Sequence, residues 1–248
     1  MAQRNSRNYL IVGASGAIGS AVALQLAARG VHLGLHYRTN RKAAERLKER
    51  LERTESRCTL LKSGLGDEAA CRELVRRFHV RFGAIDGVAL CGGTVHWMPW
   101  QRLDARAWRR ALFEHCIAPF SIARSAIRMA GRGSRSSIVF VSSIAPKYGG
   151  SPKSMHYAAA KAALETAMRG LAREVAPSGI RINGVRAGFV DTPLQRRGRS
   201  RAEIARRIAK IPVRRAGTPE EIASAVVYLL SDGASYINGE LITVAGGD

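Results

Sequence analysis

The sequence predicts an α/β fold, a doubly wound parallel sheet of about seven strands with helices on both faces. Three observations predict it. Apolar runs of four to seven residues recur along the 248-residue chain and alternate with longer amphipathic segments. The first run, Tyr9–Val12, passes directly into Gly13-Ala-Ser-Gly-Ala-Ile-Gly19, a glycine turn that opens a helix. No internal repeat, linker or low-complexity block interrupts the alternation, so 1–248 reads as a single domain.

Taken in order, Tyr9–Val12 is the first strand, and the helix after the glycine turn runs through Ala28. Val31–Tyr37 is a strand and Arg41–Arg53 a charged helix. Cys58–Lys62 is a strand, Asp67–Arg81 a helix, Ala84–Leu90 a strand and Ala105–Ala130 one long helix. Ser137–Val141 is the fifth strand. Ser154–Val175 is a helix stopped by Pro177 and Gly179, because proline cannot continue the ladder and glycine accepts a left-handed turn. Ile180–Val185 is a strand, Pro219–Leu230 a helix and Leu241–Val244 the last strand. Strands alternating with helices argue for a parallel sheet covered on both faces, since a helical crossover returns the chain to the same end of the sheet.

Composition narrows the classes. A 46% hydrophobic chain of this length can bury a sizeable core. No run of 18 apolar residues occurs, so no membrane span is expected. The apolar run after Met1-Ala-Gln-Arg-Asn-Ser-Arg7 is too short for a signal peptide, and a cytoplasmic location is expected. Cys58, Cys71, Cys91 and Cys116 are scattered without a Cys-x-x-Cys pair, which argues against a metal site or a disulfide frame. Forty Lys and Arg against 19 Asp and Glu give +21. Such a field draws in anionic partners: nucleic acid, an anionic lipid surface or an acidic carrier protein. It can equally reflect solvated helix faces.

The glycine turn lies between strand and helix, where backbone N–H groups and the positive end of the helix dipole can receive a pyrophosphate. The segment after the second strand, His36-Tyr-Arg38-Thr-Asn-Arg41, has no acid to bond a ribose 2′-hydroxyl. Arg38 can pair with a 2′-phosphate instead, which favours NADP(H). Tyr157 and Lys161, four residues apart in an alanine-rich helix, share one face. A nearby cation lowers a phenol's pKa and fits it for acid–base work.

These motifs, in this order, resemble the short-chain dehydrogenase/reductase family over essentially the whole length, closest to the 3-oxoacyl-[acyl-carrier-protein] reductases. Further stretches carry the resemblance. They are Val139-Phe-Val-Ser142-Ser143, Ile180 to Pro193 through Asn183, Gly188, Val190 and Thr192, and Pro212 to Gly247. The resemblance implies a Rossmann-type sheet and a carbonyl reduction. Tyr157 would be the general acid. Lys161 would hold the nicotinamide ribose, and Ser143 would bond the substrate carbonyl, with Ser142 as its competitor. Gly13, Ser15, Ala17, Ile18, Gly19, Arg38, Leu65, Gly92, Val190 and Thr192 would complete the cofactor site with Tyr157 and Lys161. The segment at about 192–215 would be the substrate lid. The family's dimers and tetramers imply a homo-oligomer.

The chain departs from the family in places. Ala17 stands for a loop glycine, Gly64 for an aspartate, Leu90-Cys91-Gly92-Gly93 for Asn-Asn-Ala-Gly and Ala187 for a proline. The loop between Ser143 and Tyr157 is one residue longer, at Gly149-Gly150. His115 takes the place of the helix asparagine that holds a relay water. It is either that water's holder or a packed histidine with no part in chemistry.

On the substrate side, residues 196–215 carry nine basic residues and one acid, Glu203. Arg124, Arg128 and Arg132, with Arg135, form a second basic run. Both suit an acidic acyl carrier protein or are plain solvated faces. Trp97 and Trp100 follow Gly93, near the pocket by family analogy or at the edge of the core. The first expectation is an NADPH-dependent 3-oxoacyl-thioester reductase. The alternatives are an oxidoreductase of a small free ketone or alcohol and a non-catalytic cofactor-binding regulator. No helix-turn-helix or RNA-binding motif supports a nucleic-acid partner.

Overall fold

The computed structural model describes residues 7–248 apart from 28–30, 55, 132–133 and 198. Seven strands form one parallel sheet in the order β3-β2-β1-β4-β5-β6-β7. They are β1 (Asn8–Val12), β2 (His32–Tyr37), β3 (Arg57–Lys62), β4 (Gly87–Leu90), β5 (Ser137–Ser143), β6 (Arg181–Ala187) and β7 (Leu241–Val244). The chain winds outward from β1 to β3, then crosses to the other side of β1 to place β4. The loops after β1 and β4 therefore diverge and leave a crevice at the carboxyl ends of the strands, the usual ligand site of such sheets.

The sheet is buried on both faces. On one side Ile11, Leu33, Leu35, Val139 and Val185 pack with Val22 and Leu26 of α1 (Ala17–Ala27) and Val226 and Leu230 of α9 (Pro219–Leu230). On the other, Leu10, Val88, Ile138 and Phe140 meet three helices. Phe78 comes from α3 (Glu68–Phe82), Ile122 from α5 (Ala118–Ala130), and Leu164 and Met168 from α6 (Met155–Val175). In α2 (Arg41–Glu52) the buried residues Ala44, Leu47 and Leu51 recur at helical spacing, and Asn40 caps its first turn by accepting from Ala43 N–H at 3.2 Å. Thr218 and Glu221 form a capping box that starts α9. No helix of the described residues is long and apolar enough to cross a membrane.

Strand ends differ from expectation by a few residues, and β4 begins at Gly87 rather than Ala84. The first helix ends at Ala27, and Ala28 lies outside the described residues. The one real correction concerns the long helix. It is α4 (Ala105–Leu112) and α5, joined by a π-helical turn over Phe113–Ile117. Pro119 has no N–H to give to the carbonyl of residue 115, so the regular ladder fails there. Ala118 N–H instead reaches Phe113 O, five residues back. The wide turn carries His115 into the crevice, the kind of place where such turns recur.

Candidate active site

The crevice begins at the glycine turn. Gly13 has φ +81°, and a Cβ there would lie 2.7 Å from Gly92 Cα, so the turns after β1 and β4 touch because Gly13 bears no side chain. A Cβ on Gly19 would lie 2.3 Å from Gly13 O, so this glycine lets α1 start hard against the turn. His36 anchors the turn from below. Its Nδ1 accepts from Gly13 N–H at 3.1 Å and its Nε2 donates to Ser63 O at 3.1 Å. Burial pushes its pKa down to about 4, so the ring is neutral with the proton on Nε2.

A cavity of about 310 Å³ opens above this turn, lined by Gly13, Ser15, Gly16, Arg38, Leu65 and Gly92, among others. It shares Cys91, Gly92 and Gly93 with a narrower cavity of about 100 Å³ lined by Ile18, Ser143, Tyr157, Lys161, Val190 and Thr192. The two form one track from Arg38 to Tyr157. Its glycine cradle, its helix N-terminus and a basic group at the far end fit an elongated, phosphate-bearing dinucleotide. The Arg38 guanidinium stands 3.8 Å from Glu114 Oε1, beyond hydrogen-bonding range, and its N–H groups remain available to a ligand.

At the other end Tyr157 and Lys161 sit on the first turns of α6. Lys161 is buried and donates from Nζ to Val141 O at 2.8 Å, with Nζ 6.0 Å from the Tyr157 ring centre. Burial pulls its pKa down to about 8, against the pull of Cys91 and Glu165. The Tyr157 phenol is pushed up by burial, opposed by hydrogen bonding with Ser143. Lys161 takes no part in this shift, its ammonium being directed at the Val141 carbonyl of β5.

Consecutive strand residues face opposite ways, and this separates the two serines. Ser142 Oγ donates to the buried Glu165 at 2.7 Å. Arg186 also grips Glu165, from Nε at 3.0 Å and Nη2 at 2.6 Å. Ser143 lines the crevice beside Tyr157, and its oxygen accepts from Ala145 N–H at 3.1 Å, leaving its own proton free to donate.

His115 is buried edge-on to Tyr157, ring centres 4.8 Å apart. It donates from Nε2 to Thr94 O at 3.0 Å, so Nδ1 is an acceptor, buried and without a partner among the described residues. Burial, with Lys161 nearby, pulls its pKa down to about 3 and keeps it neutral.

In front of Ser143 and Tyr157 lies a cavity of about 530 Å³, walled by Trp97, Phe189, Leu194, Arg199 and Arg207, among others. The 192–215 segment supplies part of this wall through α7 (Pro193–Arg196) and the chain leading to α8 (Arg201–Ile208). Trp97 lines it, whereas Trp100 is 60% exposed and is not part of its wall.

The expected residues therefore gather along one crevice, with two exceptions. Ala17 and Gly19 lie behind the turn rather than in the cavity walls. His36, Glu114 and Arg199 were missed. His36 had no signal beyond its place before Arg38, and the other two reach the crevice only through tertiary packing. Of the second basic run, Arg124 is paired with Glu68 at 2.6 Å, and Arg132 lies outside the described residues.

The comparisons with known proteins agree with this geometry. A family model described as enoyl-(acyl carrier protein) reductase matches residues 13–248. The uncharacterized oxidoreductase YmfI of Bacillus subtilis is 36% identical over 98% of each chain. Cis-4-hydroxycyclohexanecarboxylate dehydrogenase of Sinomonas cyclohexanicum is 33% identical, over 97% of this chain and 96% of that protein. The 3-oxoacyl-[acyl-carrier-protein] reductase FabG of Escherichia coli is 31% identical, over 96% and 95%. The crystal structure of a dehydrogenase/reductase from Sinorhizobium meliloti superposes with a TM-score of 0.91 at 26% identity, over 99% of this chain and 96% of that one. The chain belongs to the short-chain dehydrogenase/reductase family, oxidoreductases that bind a nicotinamide cofactor.

Proposed function

We propose that this protein uses NADPH to reduce the keto group of a 3-oxoacyl thioester, carried on acyl carrier protein, to the 3-hydroxyacyl form. The observation that carries the reading is the meeting of Ser143, Tyr157 and Lys161 at one end of a track that has Arg38 at the other. When bound, NADPH supplies the hydride. The chain supplies the proton and the orientation. Tyr157, a phenol that is protonated at neutral pH, has a proton to give and is the general acid. Ser143 donates to the carbonyl oxygen and holds it beside the phenol. Lys161 binds the cofactor's nicotinamide ribose, and its charge then favours the phenolate left after proton transfer. The unpaired Nδ1 of His115 can hold a water on the route to Lys161, in place of the family asparagine. Val190 and Thr192 orient the carboxamide, and residues 192–215 serve as the lid.

A positive field with exposed arginines, among them Arg128, Arg201 and Arg206, suits an acidic carrier. The family's habit carries a homo-oligomer, tetramer or dimer, as part of the same reading. A small free alcohol or ketone is the second reading, favoured by the dehydrogenase relative at 33% identity.

The test is NADPH oxidation with one 3-oxoacyl group on acyl carrier protein and on a small thiol. Fast turnover on the carrier, lowered roughly 10²- to 10⁴-fold in Tyr157→Phe, is expected for a general acid. Turnover on the small thiol alone keeps the chemistry and removes the carrier. Turnover of free ketones in preference to both moves the protein to the second reading.

A further inference from the structure

The front cavity holds a cation that its own walls do not neutralise. Arg199 precedes α8 and is half-buried. Its guanidinium lies 4.4 Å from the Trp97 ring centre and 5.6 Å from that of Phe189, so the two aromatics fix its plane. Its side-chain hydrogen bond is to the neutral amide oxygen of Gln195. Among the described residues no carboxylate pairs with it. Asp248, the acid in the cavity wall, is already held by Arg207 and by Tyr148 Oη at 3.1 Å. Asp191 is paired with Arg196, and Glu203 closes the capping box of α8. Lys210 lines the same wall and adds a second positive charge.

Holding a guanidinium partly out of water without a counter-ion is unfavourable, and an arriving anion reverses the balance. A carboxylate or phosphate oxygen pair matches the guanidinium fork and forms charge-assisted hydrogen bonds. We propose that Arg199, stacked on Trp97 and Phe189, is a substrate-anion subsite: the protein selects carbonyl compounds or alcohols that carry an anionic oxygen group distant from the reacting carbon. This rests on Tyr157 as the reacting centre only for its placement beside the substrate. The anion is either the substrate's own carboxylate or the phosphate of a phosphopantetheine arm, and both use the same contacts.

Binding and turnover test it separately. Binding to the protein–NADP+ complex is measured by calorimetry for straight-chain carboxylates from butanoate to decanoate, each beside its primary amide. At the preferred length the carboxylate binds roughly ten- to hundredfold tighter, the worth of charge-assisted hydrogen bonds. Arg199→Gln removes the difference, and Arg199→Lys restores part of it. Equal binding of acid and amide at every length in the wild-type protein overturns the proposal without any variant, so a misfolded Arg199→Gln cannot rescue or sink it. Turnover of oxo acids beside their methyl esters, and of a 3-oxoacyl phosphopantetheine beside the same acyl group on N-acetylcysteamine, then names the source of the anion. An acid preference in binding with no reduction of any carbonyl keeps the subsite and removes the reductase reading. Reduction of neutral and anionic partners alike, with no binding preference, does the reverse.

Discussion

At the scale of single residues, the proposed choice of NADPH over NADH rests on Arg38. Its guanidinium is 49% exposed at the mouth of the dinucleotide track, near Glu114 but not bonded to it. A 2′-phosphate would gain charge-assisted bonds that a 2′-hydroxyl cannot match. In Arg38→Ser, NADPH affinity is expected to fall roughly ten- to hundredfold while NADH affinity changes little. Fluorescence titration of both cofactors checks this, and an equal loss for both would show that the arginine merely shapes the loop. Arg38 was legible because it follows a strand at a fixed place after the glycine turn. Ser142 and Ser143 were legible as a pair, and only the strand's two-sidedness assigned one to Glu165 and the other to the crevice. In the sequence Arg199 is one charge in a basic run. Its contact with Trp97 spans about a hundred residues of sequence, and no local pattern encodes a contact of that range.

At the scale of elements, the site depends on where helices begin and where one of them widens. The start of α1 is set by Gly19. In Gly19→Ala the added carbon, 2.3 Å from Gly13 O, must push α1 away from the turn. A loss of roughly 1–3 kcal/mol in stability is expected, as for an overpacked site, together with weaker dinucleotide binding. Gly66→Ala is the control, because nothing lies within 4 Å of the added carbon and Gly66 does not line the dinucleotide cavity. Thermal melting of both variants with and without NADPH separates them, and equal melting temperatures would show that α1 is free to shift. The strands, their order of appearance and most helices follow from periodicity and from the parallel crossover rule. The π turn at Phe113–Ile117 does not, because Pro119 near the start of a helix and Pro119 inside one look alike in sequence. What distinguishes them is that α4 and α5 remain packed along α6, so the chain widens rather than stops.

At the scale of the whole molecule, acid sensitivity follows from two histidines that are buried neutral. His36 spends its two ring nitrogens on Gly13 and Ser63, and His115 spends one on Thr94 with Lys161 close by. Burial depresses their folded pKa values to about 4 and about 3, whereas in the unfolded chain both titrate near 6.5. Below about pH 6.5 the unfolded state therefore binds protons that the folded state refuses. Stability falls as pH drops from about 6.5 towards about 4, and the loss for His115 continues to about 3. Each refused proton contributes about 1.4 kcal/mol per pH unit inside its window. The net charge of +21 works in the same direction, since every added proton increases repulsion less in an expanded chain than in a compact one. His115→Asn cannot be protonated, so its urea midpoint should fall less steeply than the wild-type midpoint between pH 6.5 and 4.5, with the two converging in slope above pH 7. Parallel slopes throughout would mean that His115 reaches water in the folded state. Its unpaired Nδ1 would then be a solvated atom, and the water-holding role given to it beside Lys161 would fall with the burial that motivates it.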